Sequence, residues 1–310
     1  MFRIMMEQIA MLVIYMAAGA LLVRTKVLNE AALAPISRVV LKLALPLLIF
    51  TNTVNGVDRV ELLSTLPVIG ISLLLYLLLF LLMAVLAKAF RLKGNRASLY
   101  RALGMFGNVG FVGIPIITSL FPEGGMLYIS LFTIVDMTLL WTLGVKLTSP
   151  VEGKGKFNPK KLVNPATVAV ALAVVMILLD VSLPGVLNTA LGKIGSTSTP
   201  LAMIYLGGIF ACMDIRPYLK NVELYGIAAI KMTLFPVLLY WILTLFPLAD
   251  EIRMTMALLA ALPPMSSVVM MAKASGSDGD YGVGGIFIST IACIGTLPLV
   301  FVLIQTLFLR

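Results

Sequence analysis

The sequence predicts an all-α membrane protein of about ten transmembrane helices, built as two inverted halves of five, each with one broken helix. Three observations carry this. Apolar residues of the AVILMFWYC set make up 60% of the 310-residue chain and charged residues 12%, with a mean hydropathy of +1.07; soluble domains sit near about 45–50% and 25%. The apolar residues gather into runs of roughly 20, the length a helix needs to cross the hydrocarbon layer. Two of those runs are interrupted, at Gly107-Asn108-Val109-Gly110-Phe111-Val112-Gly113-Ile114-Pro115 and at Leu262-Pro263-Pro264-Met265-Ser266-Ser267. Proline removes an N–H donor and glycine weakens the helical ladder, and backbone freed in this way is tolerated in a bilayer only where it lines a cavity. Interruptions at corresponding places in two halves point to a binding site near mid-membrane.

The apolar segments run, in order, over roughly 5–23, 31–53, 62–88, 98–120, 125–147, 164–181, 187–213, 222–247, 253–273 and 283–308, each long enough to span or nearly so. The first has Arg3 before it and Ala17-Ala18-Gly19-Ala20 within it, which also fits a signal peptide. It continues apolar to Val23 and then meets Arg24 and Lys26, the pattern of a retained span. The second holds Pro46, the fourth the first break, the seventh Pro200 and the ninth the second break. Cys212 and Cys293 both fall inside apolar runs and read as small packing residues, not as a disulfide or a metal pair.

Charge orients the spans. Lys88, Arg91, Lys93 and Arg96 follow the third segment, and Lys146, Lys154, Lys156, Lys160 and Lys161 follow the fifth; by the positive-inside rule both loops are cytoplasmic. Arg24 with Lys26, and Arg216 with Lys220, fall on the same side if every segment crosses once. The opposite loops are poor in base or acidic, with Asp58, Arg59 and Glu61, then Glu123, Asp180, and Asp250 with Glu251. Both termini therefore face out of the cell from its inner membrane. The net charge of +9 encodes topology, and nucleic acid is not an expected partner.

The lysine-rich stretch 150–163, with Pro150, Gly153, Gly155 and Pro159, divides the segments five and five. This gives a first repeat over 1–149, a cytoplasmic linker over 150–163 and a second repeat over 164–310. Five is odd, so the second repeat enters inverted. Pro46 then corresponds to Pro200, and the break near Pro115 to the break at Pro263-Pro264.

The stretch NVGFVGIPII at 108–117 resembles the fourth-helix motif of the auxin efflux carrier family. ALPPMSSVVMMAKASG at 261–276 is similar to that family's ninth-helix motif, and LAMIYLGGIFACMDIRP at 201–217 to its seventh helix. Ten spans, outward termini and a short central loop fit bacterial members along the whole chain. The resemblance implies a fold related to bile-acid symporters and sodium/proton antiporters, with a scaffold part and a transport part built around two crossing broken helices. It also implies a small organic anion as substrate: malonate or malate for bacterial members, the carboxylate auxin for plant ones. The chain departs from the plant pattern in one respect. Aligned on Pro263, the position of the second crossover proline is Val268, which leaves Pro263, Pro264 and the two serines to form the second crossing.

Half-helix N-termini carry unpaired N–H groups and partial positive charge, which independently favours an anion. Asn108, Ser266 and Ser267 supply short donors beside the freed backbone, and with Gly113, Pro115, Pro263 and Pro264 form the expected substrate site. The alternative for the serines is back-bonding to carbonyls one turn earlier.

Charged residues inside spans are costly unless paired or facing water. Asp136, about one turn before Trp141, is either a proton carrier or half of a buried ion pair with Lys42, Arg38, Lys193 or Lys231. Lys42 and Lys231, with Asp136, are the ion-coupling candidates; near a helix end either lysine could instead snorkel. Glu7 and Arg101 lie close enough to span ends to need no special role. No cofactor is expected beyond a coupling ion, H+ or Na+. For sodium, Thr51, Asn52 and Thr53 with Ser196, Thr197, Ser198 and Thr199 offer oxygens, or are ordinary hydroxyls at helix starts. With no histidine in the chain, proton coupling would need an acid such as Asp136 or Glu7.

The same absence excludes a Ser/His intramembrane protease and a histidine zinc site. Ser277-Asp278-Gly279-Asp280 lacks the first glycine of a Gly-x-Gly-Asp aspartyl-protease motif. The rival to a transporter is a channel or membrane sensor of the same fold. The expected partners are a small organic anion and the lipid bilayer, with a homodimer allowed.

Overall fold

The structure, a computed structural model, describes residues 2–56, 59–60, 66–150 and 165–308. Among these, all regular structure is helical. Most of the 150–163 linker, together with Asp58 and Glu61, lies outside the described residues. Ten helical segments follow the ten apolar runs: α1 (Phe2–Arg24), α2 (Glu30–Asn55), α3 (Pro67–Ala89), α4 in two parts (Gly94–Met105 and Val109–Leu120), α5 (Gly125–Thr148), α6 (Pro165–Leu178), α7 (Gly185–Cys212), α8 (Val222–Leu243), α9 in two parts (Asp250–Ala261 and Ser266–Ala274) and α10 (Gly279–Phe308). Seven of them, α1, α2, α3, α5, α7, α8 and α10, are long and apolar enough to cross a membrane. The chain is a multi-pass membrane protein.

Prolines shape the long helices in a regular way. Three stretches of wider, π-helical turn end two residues before a proline: Val40–Ala44 before Pro46, Val109–Gly113 before Pro115, and Ile227–Leu234 before Pro236. Proline cannot donate to the carbonyl four residues back and its ring collides with it; the wider turn moves that carbonyl aside and keeps the helix continuous. A fourth π stretch, Leu140–Gly144, has no proline two residues after it.

The helices form two groups. In the first, α1 packs along α7, and α2 packs against α6 and α7; in the second, α3, α4 and α5 pack with one another, as do α8, α9 and α10. The contacts repeat when the halves are exchanged. α1 lies on α7 as α6 lies on α2, α3 on α5 as α8 on α10, and α1 on α10 as α6 on α5. Within the first group the backbones nearly touch. A Cβ on Gly19 would fall on the Ile204 carbonyl, one on Gly207 on the Met16 carbonyl, and one on Gly195 on the backbone of Leu48. Small residues that let backbones approach are the main source of helix adhesion in lipid, where apolar burial alone gives none. The outer surface is apolar too: Leu73, Leu77, Leu81 and Val85 make an exposed stripe along α3, opposite buried Leu75, Leu79 and Met83.

Candidate functional site

Both sequence breaks are real, and they meet. The first half of α4 ends at Met105, Phe106 is extended, and a new helix starts after Asn108, whose side-chain oxygen accepts the Phe111 N–H at 3.3 Å. The first half of α9 ends at Ala261; Leu262 and Met265 are extended, and the helix resumes at Ser266. Two prolines in a row leave positions 263 and 264 without N–H donors, but their carbonyls remain. Asn108 donates its N–H to the Pro263 carbonyl at 2.8 Å, and Met265 donates to the Phe106 carbonyl at 2.9 Å. The two breaks thus form a single antiparallel bridge, Gly107 opposite Pro264. Groups that would be orphaned in a dry medium satisfy one another. The approach is close because Gly107 and Gly113 face α9: a Cβ on Gly107 would lie 3.1 Å from Leu262 Cβ, and one on Gly113 2.9 Å from Leu262 Cδ1. Gly113 therefore serves packing between the broken helices, and half-buried Pro115 starts the helix beyond.

Two half-helices begin beside the bridge: in the second half of α4 the N–H groups of Asn108, Val109 and Phe111 already have acceptors, while in the second half of α9 those of Ser266 and Ser267 have none among the described residues. Ser266 begins one, is 6% exposed, and its hydroxyl has no partner among the described residues. With Phe111 from the start of the other, it lines a small cleft whose remaining walls are Ser37, Val40 and Leu41 of α2, Ala202 and Tyr205 of α7, and Met270. Ser267 is half-buried beside it. A second small cleft lies at Pro263 and Val112 and is lined by Ile9, Leu12, Val13 and Met16 of α1, Met203 of α7, and Thr290, Cys293 and Ile294 of α10. Each cavity has one wall from the α1/α2/α6/α7 group and one from the broken helices.

The intramembrane charges are distributed between the breaks. Lys231 is 1% exposed, and its ammonium donates to the Leu262 carbonyl at 2.5 Å, the C-terminal end of the first half of α9. A cation suits that end of the helix dipole. Asp136 is fully buried, and its Oδ1 accepts from the Tyr76 hydroxyl of α3. The Tyr76 ring packs on Phe106, at the first break, with centroids 5.8 Å apart, and on Phe132 at 5.7 Å. Of the two readings of Asp136, the ion pair is absent: no lysine or arginine among the described residues reaches it. Lys42 is exposed on α2 and is not brought to the breaks. Glu7 is exposed and pairs with Arg3 at 2.9 Å, and Arg101 lies over the Phe80 ring. The hydroxyls of Thr51 and Thr53 donate to carbonyls one turn earlier, as do Ser196 and Thr197, which is the ordinary role of hydroxyls in helices.

Tyr76, Tyr205, Ser37 and Cys293 belong to this region and carry no sequence signal of their own, apart from Tyr76 being a lone phenol in a long aliphatic run. Tyr76→Phe should leave Asp136 without its donor and destabilise the protein by about 1–3 kcal/mol, measured as a fall in melting temperature in detergent. An unchanged melting temperature would show that the hydrogen bond contributes nothing net.

Broken helices that meet inside a bundle of membrane helices are an arrangement found among membrane transport proteins. The chain matches the sequence profile of the membrane transport protein family twice, over residues 4–161 and 154–301, and it belongs to that family, the auxin efflux carriers. It is also 25% identical over 302 residues to a protein of Methanothermobacter thermautotrophicus described as an uncharacterized transporter, with 94% of this chain and 96% of that one covered.

Proposed function

We propose that the protein is a secondary transporter of small organic anions, carboxylates such as malonate, malate or auxin-like acids, which it binds where the two broken helices cross. The observation that carries this reading is the cleft lined by Phe111 and Ser266, one from each of the two half-helices that begin at the crossing. The Ser266 hydroxyl and the N–H groups of Ser266 and Ser267 supply donors with no acceptor among the described residues, the amide NH2 of Asn108 lies at the facing break outside the lining of the cleft, and the helix dipoles add positive potential. A carboxylate there would complete an otherwise open hydrogen-bond set.

Alternating access is supported by the position of the cavities. Both lie between the backbone-welded α1/α2/α6/α7 group and the group bearing the breaks, and the correspondence of contacts between halves supports two inverted repeats sharing one axis. Rocking of one group against the other would open the crossing to each side in turn. In this reading both termini face outward across the inner membrane.

Counterflow of radiolabelled malonate or indole-3-acetate in proteoliposomes tests the proposal, since a sensor binds without exchange. Asn108→Ala, and Ser266→Ala with Ser267→Ala, should each weaken binding by about tenfold or more, the worth of a hydrogen bond to a charged group, with a smaller change in melting temperature. Unchanged affinity in both would remove these residues from the site.

A further inference from the structure

Two cations stand on the outside of the helix bundle where no acid among the described residues meets them. Arg38 and Lys42 lie one turn apart on α2, in an exposed stripe with Ala34, Pro35, Val39 and Leu43, and positions four apart on a helix are neighbours. The opposite face of the same turns, with Leu33, Ser37, Val40 and Ala44, is buried. α2 is 26 residues long, about 39 Å against a hydrocarbon layer of about 30 Å. Centred in that layer, it places the Arg38 backbone about 8 Å and the Lys42 backbone about 14 Å below the boundary at its Glu30 end. Charge at such a depth is costly unless it is paired or led to water.

Neither residue is in an ion pair among the described residues. α6 and α7, which pack on α2, contain no acid, and α2 itself has only Glu30, in its first turn. Glu7 of α1 is taken by Arg3, and Asp136 of α5 is fully buried against Tyr76. Helical side chains lean toward the N-terminus of their helix. Arg38 and Lys42 therefore both lead their charges toward the Glu30 end, the side of the basic loops after α1, α3 and α7. Lys193 is the internal contrast: it is exposed eight residues after the start of α7, as Arg38 is eight after the start of α2. Asn188 at the start of α7 pairs with Asn55 at the end of α2, so α7 runs the other way. Lys193 leans to the opposite boundary as a lone cation, with no second one a turn away.

The geometry points to a binding site for an anionic phospholipid on this face of α2, its phosphate held by Arg38 and Lys42 and its acyl chains lying along Val39 and Leu43. The arginine fork takes a phosphate through two parallel bonds, and the ammonium adds a second charge. Basic patches at the cytoplasmic boundary of membrane helices recognise anionic head groups in this way, and the loop charges orient the Glu30 end of α2 to that side. A second copy of the chain fits the face badly, since docking about a two-fold axis would set the same two cations against each other. The front of these turns, Ser37, Val40 and Leu41, lines the cleft at Ser266, so the lipid would steady that wall from behind. The site requires a chain that spans a bilayer and is independent of the solute it moves.

Native mass spectrometry and thermal melting of the detergent-purified protein, with dioleoyl phosphatidylglycerol compared against dioleoyl phosphatidylcholine, test this. We expect the wild type to hold phosphatidylglycerol in preference and to melt higher with it. Affinity for it should drop about thirtyfold in the double variant Arg38→Gln with Lys42→Gln, the worth of two cations near an anionic surface. It should be retained in Lys193→Gln and in Lys42→Arg. Lys42→Gln alone should lose about fivefold, which keeps the test open if the double variant does not fold. Glycerol phosphate, the head group without its chains, should not compete; competition would make this a site for free phosphate and overturn the lipid assignment. Equal binding of the two lipids by the wild type overturns the inference, as does a phosphatidylglycerol preference that survives in the double variant or is lost equally in Lys193→Gln. A double variant that passes from dimer to monomer with its lipid preference intact assigns the face to a second copy instead.

Discussion

Replacing Gly207 with leucine should leave no folded protein to purify. α1 and α7 touch backbone to backbone, Gly207 on the Met16 carbonyl and Gly19 on that of Ile204, so an added side chain meets main chain on the opposite helix and not a side chain that can turn away. Overpacking typically costs about 1–3 kcal/mol, and more where the neighbour cannot yield. In a bilayer the loss is compounded, since separated helices gain nothing from apolar contact that lipid does not offer equally. Gly207→Ala should fall between the two. Yield, size-exclusion profile and melting temperature in detergent are the measurements; a leucine variant that melts like the wild type would mean that α1 and α7 do not approach this closely.

The second large effect is expected at Lys231. Lys231→Met keeps the length and apolar stem of the side chain and removes the ammonium. The stranded Leu262 carbonyl should lower stability by about 1–3 kcal/mol, the cost of an unsatisfied buried group. Carboxylate affinity should fall by a factor of about ten to a hundred, the equivalent of one charge-assisted interaction. Titration calorimetry with malonate and melting of the unliganded variant separate the two. A stability loss with unchanged affinity would reduce Lys231 to a cap on the first half of α9.

Both breaks were legible in the sequence because their causes are local. Glycine and proline act on their own backbone, so GNVGFVGIP and LPPMSS announce interruptions without any knowledge of the fold. What the breaks do with their freed groups was not legible: the bridge between Gly107 and Pro264 joins residues more than 150 positions apart. The same holds for the intramembrane charges. Asp136 could be recognised as isolated, yet its partner is a phenol from α3 and not a cation, and Lys231 was visible as a buried base but not as the ligand of a particular carbonyl. Lys42 looked equivalent to Lys231 in sequence, each a few residues before a proline; the two differ only in which side of its helix faces the interior. The π turns before Pro46, Pro115 and Pro236 follow a rule that proline chemistry explains, although Leu140–Gly144 obeys no such rule.

The bridge between the breaks also bears on how the chain is made. The Phe106 carbonyl and the Asn108 N–H enter the membrane with the first repeat, while their partners at residues 263–265 are still unsynthesised. At typical elongation rates the delay is on the order of ten seconds or more, far longer than helix formation or docking within the first repeat. During that interval the nascent half holds two unmet polar groups at mid-membrane depth, where water and a neighbouring chain would compete for them. Completion of the second repeat is then what closes the first, so the two halves mature together however early the first was inserted.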